Sequence, residues 1–307
     1  MGRVRQTDIA RVAGVSQATV SVVLGGNRTG VRLAESTRLR VLKAAEQLGY
    51  ADPLEKRPSR TGLFGIRAAT PAFEAHPAIL AGIEAEAAAL GKDLIVFTTA
   101  GRTRLADGCL FLGGPVPAEL LATGFPIVHI GLRPELGDRV ACVDADYASA
   151  SAEVAARLRQ AGHRRIRYLR ESGDTPAARE RERGLGGAPG SVVRTDGTGL
   201  ATAIRGWLAE GVTALVADEA VCVPAQRALR AAAVSVPGDL SLAVLGRPPS
   251  APEVSGFEVP RHALGREAVR LLATVVATGA GEHRLLTCPP VVGSTIAPVN
   301  RQDSAPS

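Results

Sequence analysis

The sequence predicts a small all-α helix-turn-helix headpiece followed by an α/β body of two doubly wound parallel-sheet subdomains, and three observations predict it. Residues 7–24 carry two segments of helical spacing around a glycine. The formal net charge of +6 sits wholly within the first 62 residues. Beyond them, short apolar runs alternate with amphipathic stretches, the pattern of a sheet whose strands are joined by crossover helices.

In the first segment Asp8 suits the positive end of a helix, and Ile9, Val12 and Ala13 recur at helical spacing. Either Thr7 or Asp8 is placed to cap it, and Gly14 stops it. Ser16 starts a second helix whose inward face is Val20, Val23 and Leu24. Gln17, Ala18, Ser21 and Val22 then point outward, small and polar groups that can approach base edges and phosphates in a DNA groove. An ordinary helical hairpin in a core is the competing reading. A third helix is predicted over residues 34–48, with Val41, Leu42, Ala45 and Leu48 on one face, Arg38, Arg40, Lys43 and Glu46 on the others, and Gly49 at its end. Three helices are about the minimum that folds alone.

Residues 1–62 hold eleven Lys and Arg against five Asp and Glu, while the remaining 245 residues balance at 25 of each. Basicity confined to the groove-reading unit is the electrostatic footprint of a DNA binder. No apolar run approaches the roughly 18 residues of a membrane span and the first residues are charged, so a cytoplasmic, nucleoid-associated protein with no membrane partner is expected. Cys109, Cys142, Cys222 and Cys288 stand apart, without CxxC or His-rich spacing, and read as buried reduced thiols rather than disulfides or a metal site.

In the body, strands are predicted over residues 63–69, 93–98, 108–112, 126–130, 139–143, 165–169, 191–194, 213–217, 240–245, 256–259 and 285–292. The clearest helices fall over 78–90, 148–161, 200–210, 220–231 and 263–277. So many strands suit two adjacent sheets, with a ligand crevice at the carboxyl ends of the strands. Residues 51–62 carry Pro53, Pro58, Ser59 and several charges without an apolar face, the composition of a linker that orders only on DNA.

The residues resemble the LacI/GalR family of bacterial transcription regulators over essentially the whole chain. The run from Asp8 to Ser16, then Ala18-Thr19-Val20-Ser21, Thr37-Arg38, Val41-Leu42 and Ala44 to Tyr50 are similar to the family headpiece nearly position for position. Gly82-Ile83, Gly162-His163-Arg164-Arg165-Ile166, Arg181 with Gly184, Asp218-Glu219, Val236-Pro237 with Asp239-Leu240-Ser241, Leu264-Gly265-Arg266 and Gly293-Ser294-Thr295 are similar to landmarks of its regulatory domain.

The resemblance implies a homodimer on a near-palindromic double-stranded DNA operator, with a periplasmic-binding-protein-like body that closes on a small effector and acts as a repressor. The implied organisation is a headpiece over 1–50, a hinge over 51–62 and an effector-binding and dimerisation domain over 63–307. Its N subdomain takes roughly 63–145 plus 255–280, and its C subdomain roughly 146–254 plus 285–300. Base-reading falls to Gln17, Ala18 and Val22, phosphate contact to Ser16, Thr19, Ser21 and Asn27, and the hinge to Arg57 and Ser59. Effector contact falls to Phe73, His76, Asp146, Arg181, Asp218 and Arg247, with capping an equal alternative for Asp146.

Three departures from the family pattern stand out. Ser59, after Pro58, holds the place of the leucine that wedges the minor groove, which predicts weaker central kinking. Only residues 100–107 separate two strands where a crossover helix is usual, so that helix is expected to be missing or reduced to a turn. Ala217, Gly246-Arg247 and the residue before Gly293 replace the amide, carboxylate and guanidinium groups that hold sugar hydroxyls. Their loss argues against an ordinary sugar; Arg181 with Arg247 would suit an anionic metabolite, and a cleft without an effector is the alternative. No nucleophile elbow, P-loop or metal spacing is present, so no catalytic residue, cofactor or metal is assigned, although a DNA-tethered α/β enzyme is the rival class. The glycine-rich run 184–190 reads as a flexible loop rather than a phosphate cradle, for it lacks the GxGxxG order and a preceding strand.

Overall fold

The structure, a computed structural model, describes residues 5–24, 33–48, 61–68, 76–187 and 190–299. The chain divides after Thr61 into two compact units. The expectations for Asn27, for Arg57 and Ser59, for most of the linker and for Phe73 lie outside the described residues.

The first unit holds α1 (Gln6–Ala13), α2 (Gln17–Leu24) and α3 (Glu35–Gln47). Helix α1 starts earlier than Thr7 or Asp8 could begin it: Asp8 lies one turn inside and accepts the backbone N–H of Arg5 at 2.9 Å. Gly14, at φ 65°, takes the left-handed conformation that ends the helix. The core is thin, made of Ile9, Ala10, Ala13, Val20, Val41, Ala44 and Ala45, with Val23, Leu24 and Leu48 packed against it. Two expected core residues face outward instead: Val12 is 48% exposed and Leu42 is 42% exposed. In helices this short and close, the alanines Ala10 and Ala44 sit at the contact and the larger side chains are turned out.

The second unit contains two six-stranded sheets. Numbered in chain order, the strands are β1 (Leu63–Ala68), β2 (Asp93–Val96), β3 (Gly108–Leu112), β4 (Ile127–Ile130), β5 (Ala141–Ala145), β6 (Ile166–Arg170), β7 (Val192–Arg194), β8 (Ala214–Asp218), β9 (Ser241–Leu245), β10 (Ser255–Phe257), β11 (His283–Leu286) and β12 (Pro290–Val291). The first sheet runs β11-β5-β4-β3-β1-β2, all parallel. The second runs β12-β10-β9-β8-β6-β7, parallel except for β12. The expected strand over 285–292 is two strands, one in each sheet. Pro289 and Pro290 explain the break, because a proline has no N–H to give a ladder, and Pro290 sits on an edge strand where none is needed. Consequently residues 255–257 belong to the second sheet and 283–286 to the first, the reverse of the expected subdomain boundaries at both places.

Helices α4 (Pro77–Ala89) and α10 (Arg261–Thr278) cover one face of the first sheet, and α5 (Ala118–Leu121) is a single turn. The helices α4 and α10 meet at glycines: a Cβ on Gly82 would lie 2.0 Å from the His262 carbonyl oxygen, and one on Gly265 would lie 2.1 Å from that of Ile79. The expected helix deficit is found here. Residues Ala100–Leu105 form a 3-10 turn, and Val96 and Leu105 beside it are 54% and 56% exposed.

In the second sheet, α6 (Tyr147–Gln160) and α7 (Pro176–Leu185) cover one face, while α8 (Leu200–Ala209) and α9 (Glu219–Ala231) cover the other. Helix α7 escaped the periodicity reading because half of it is Arg and Glu and it buries only Ala178 and Leu185. Its signals are local: Thr175 caps it by accepting the Ala178 N–H at 3.1 Å, Pro176 opens it and Gly186 at φ 59° ends it. Gly184 is therefore helical and not part of a loop; a Cβ there would meet the Ala148 carbonyl oxygen at 2.1 Å, so it is the crossing point of α7 over α6. Gly293 likewise lies against the Glu253 carbonyl, and Thr295 donates to the Leu242 carbonyl at 2.6 Å and accepts the Ser255 N–H at 2.9 Å. His163, buried, pairs its two ring nitrogens with Thr213 Oγ1 and the Ala297 carbonyl. Most of the sequence landmarks are thus places where backbone approaches backbone or a buried polar group is satisfied.

Candidate DNA interface and effector cleft

Helix α2 is one-sided. Val20 is fully buried, while Gln17, Ala18 and Ser21 are exposed and Val22 is half-buried. Ser16 precedes the helix and its hydroxyl accepts the Thr19 N–H at 3.1 Å, with the two hydroxyls 2.9 Å apart. Ser16 and Thr19 are therefore held in fixed positions at the helix start, where free N–H groups and the positive dipole end favour a phosphate. Asp8 and Arg11 form an exposed pair at 3.6 Å on α1.

The body places its polar cluster at the carboxyl ends of both sheets. Asp218 ends β8 and accepts the Tyr168 hydroxyl at 2.7 Å, while Arg181 Nε, from α7, lies 3.7 Å from the same carboxylate oxygen. The Arg181 guanidinium stacks over Tyr147, 4.4 Å from the ring centre. Burial raises the Asp218 carboxyl above its ordinary value, opposed by Arg181 and Tyr168. From the first sheet, Asp144 accepts the Leu132 and Ala145 N–H groups at 2.9 and 2.8 Å; burial raises its carboxyl, and the Arg181 charge opposes the rise. Asp146 caps α6 by accepting the Ser149 N–H at 3.0 Å, which is the capping alternative for that residue.

His76 stands at the start of α4, with its imidazole held below the ordinary value by burial and by Arg261, against Glu219. Arg261, on α10, pairs with Glu219, on α9, so this ion pair ties elements of the two sheets together. Two buried polar atoms at the cleft, His76 Nδ1 and Arg181 Nε, have no hydrogen-bond partner among the described residues. Arg247 does not join them: its guanidinium pairs with Glu258 and donates to the Pro252 carbonyl at 2.8 Å. The paired-arginine argument for an anionic ligand therefore loses its second arginine.

Of the expected effector residues, Arg181 and Asp218 come together, and His76 joins Glu219 and Arg261 instead. Tyr147, Tyr168, Asp144, Glu219 and Arg261 were not expected. The rule that ligands sit at the carboxyl ends of parallel strands would have found Asp144 and Tyr168, each one or two residues from the end of its strand. All four cysteines are free and buried, and burial pushes the thiols of Cys109 and Cys288 up to about 12 and those of Cys142 and Cys222 to about 11. Among the described residues no group of acidic, histidine or cysteine side chains could hold a metal, and no helix is long and apolar enough to cross a membrane.

Two family models match the chain, the bacterial regulatory proteins of the lacI family over residues 7–52 and the periplasmic binding protein-like domain over residues 155–296. The HTH-type transcriptional regulator in the aml 5′ region of Streptomyces limosus is 28% identical, covering 89% of this chain and 88% of its own length. The transcriptional regulator CelR in its cellobiose complex superposes with a TM-score of 0.63 at 24% identity, over 95% of this chain and 100% of its own. The lac repressor dimer bound to operator and the anti-inducer ONPF gives 0.63 at 20% identity, over 96% and 100%. A headpiece of this family and a likeness over most of the chain to an HTH-type regulator define a DNA-binding transcription regulator of the repressor type, not an enzyme. The headpiece is similar to the lacI family of bacterial regulatory proteins and the body to the periplasmic binding protein-like domain.

Proposed function

We propose that this regulator acts as a homodimeric repressor on a near-palindromic operator and that a small polar metabolite in the cleft between its sheets alters its hold on DNA. The observation that supports the DNA half is the one-sidedness of α2, which buries Val20 and presents Gln17 and Ala18 at the end that enters a groove. Gln17 suits an adenine through a bidentate contact, and Ala18 and Val22 suit thymine methyls. Ser16, Thr19, Ser21 and Asn27 take phosphates, and Arg57 takes backbone or minor groove, with Ser59 supplying no apolar wedge. Two-fold operator symmetry asks for two headpieces, and the lac repressor similar to this chain was solved as a dimer on its operator.

The effector half rests on the two buried atoms without partners, His76 Nδ1 and Arg181 Nε, since buried polar groups are ordinarily satisfied. A ligand bearing hydroxyl or carbonyl oxygens would complete them, with Asp218, Asp146 and Phe73 as further contacts; the similar CelR was solved with cellobiose. A second reading, a cleft that takes no effector, is favoured by the Glu219–Arg261 pair, which already joins the two walls. Selecting genomic fragments bound by the intact chain, then titrating metabolites suggested by the neighbouring genes, tests both halves. Bound fragments with two inverted half-sites support the dimer, fragments with a single site refute it, and loss of every metabolite response supports the second reading.

A further inference from the structure

Between α6, α7 and the second sheet lies a cavity of about 400 Å³ whose lining shares only Tyr168 with the cleft cluster. Helix α7 crosses α6 at Gly184 and stops at Gly186, and the cavity lies beside that stop. The accessible apolar lining of the cavity is the half-buried Ile166 from β6 and Val192 from β7, which lie over the buried Leu158, Tyr168, Leu185 and Val216. At the far end, where α6 finishes and β6 begins, it is lined by Arg159 and Arg164. Arg159 donates to the Leu185 carbonyl at 2.9 Å, and Arg164 donates to the Arg159 carbonyl at 3.2 Å, which places both guanidinium groups at the mouth.

Charge decides what fits there. Among the described residues neither Arg159 nor Arg164 forms an ion pair with a carboxylate, whereas Glu182, the one acid lining the cavity, is paired with the fully buried Arg170. His163 also lines the cavity, but Thr213 and Ala297 already hold both its ring nitrogens, so it offers no head-group contact. A cavity of ligand-pocket size with an apolar side and two uncompensated cations at one end matches a molecule with an apolar body and a single anionic head. We propose that this cavity binds a small amphipathic carboxylic acid, its carboxylate on Arg159 and Arg164 and its hydrocarbon part over Ile166 and Val192.

The test uses the intact chain and octanoate as probe, with octanamide as the neutral isostere, followed by titration calorimetry. Octanoate is expected to bind once per chain, and the double variant Arg159→Gln/Arg164→Gln to weaken it by about 10- to 100-fold, the span of a charge-assisted contact. Octanamide should bind the unaltered protein no better than octanoate binds that variant. Val192→Trp, on an edge strand, fills the cavity and should abolish binding, with the melting curve recorded to show that the variant is folded. Arg181→Ala, in the cleft, should leave octanoate binding as it was. Absence of binding at millimolar octanoate, equal affinity for octanamide, survival of binding in Val192→Trp, or its loss in Arg181→Ala would each overturn the proposal.

Discussion

The crossing of α4 and α10 permits an opposed pair of glycine-to-alanine substitutions whose signs follow from geometry. A Cβ on Gly265 would lie 2.1 Å from the Ile79 carbonyl oxygen and 2.8 Å from the Ile83 nitrogen, where ordinary contact begins at 3.4 Å. The helices must therefore part by about 1.3 Å, and the obstacle is backbone, which cannot rotate away. Such overpacking costs up to about 3 kcal/mol, and alanine's better helix propensity returns about 1 kcal/mol, leaving a net loss of roughly 2 kcal/mol. In a unit of this size that lowers Tm by about 4–8 °C. Gly206 is the control. It lies within α8 with nothing within 4 Å of its virtual Cβ, so Gly206→Ala keeps only the propensity gain, and Tm should rise by about 2–4 °C. Calorimetric melting of the intact chain and urea unfolding read both. Equal shifts of the same sign in the two variants would refute the close approach at Gly265.

Thr295→Val leaves the Leu242 carbonyl and the Ser255 N–H without their buried partner and should cost about 2–4 kcal/mol in urea unfolding. Ser16→Ala removes the cap of α2 and should cost about 1 kcal/mol, read as roughly fivefold faster hydrogen exchange of the α2 amides in the intact chain. Glu86 is bonded by Arg270 and Arg266, which hold its carboxyl below the ordinary value of 4.5. A lowered folded value means the pair contributes stability at pH above the ordinary value and loses it as pH falls through the folded one; Glu86→Gln should flatten that acid limb of the melting profile. An operator bend as large as that of leucine-bearing relatives would contradict the role given to Ser59.

The sequence made the sheets legible because β-strands buried on both faces read as continuous apolar runs; Gly108–Leu112 and Ser241–Leu245 are buried at every position. It made the first two helices legible because Ser16 and Gly14 mark where α2 and α1 begin and end. Helix α7 was hidden because its charged surface has no apolar stripe, and only its caps announce it. The cleft was half legible. Arg181 and Asp218 meet at the strand ends, whereas Arg247 is taken up by Glu258, and side-chain pairing of this kind across eleven residues has no sequence signature. The joining of Glu219 to Arg261 likewise depends on how two sheets approach, which no local pattern encodes.

The central claim is that α2 reads DNA through Gln17, Ala18 and Val22. Selection from random duplex DNA by the intact chain and by Gln17→Ala, at one stated salt concentration, tests it most directly. The account expects two inverted half-sites for the unaltered protein and, for the variant, lost preference at one position in each half-site with the rest retained, a discrimination of about 1–3 kcal/mol per position. An identical selected sequence for both proteins, or a uniform loss at every position, would contradict it.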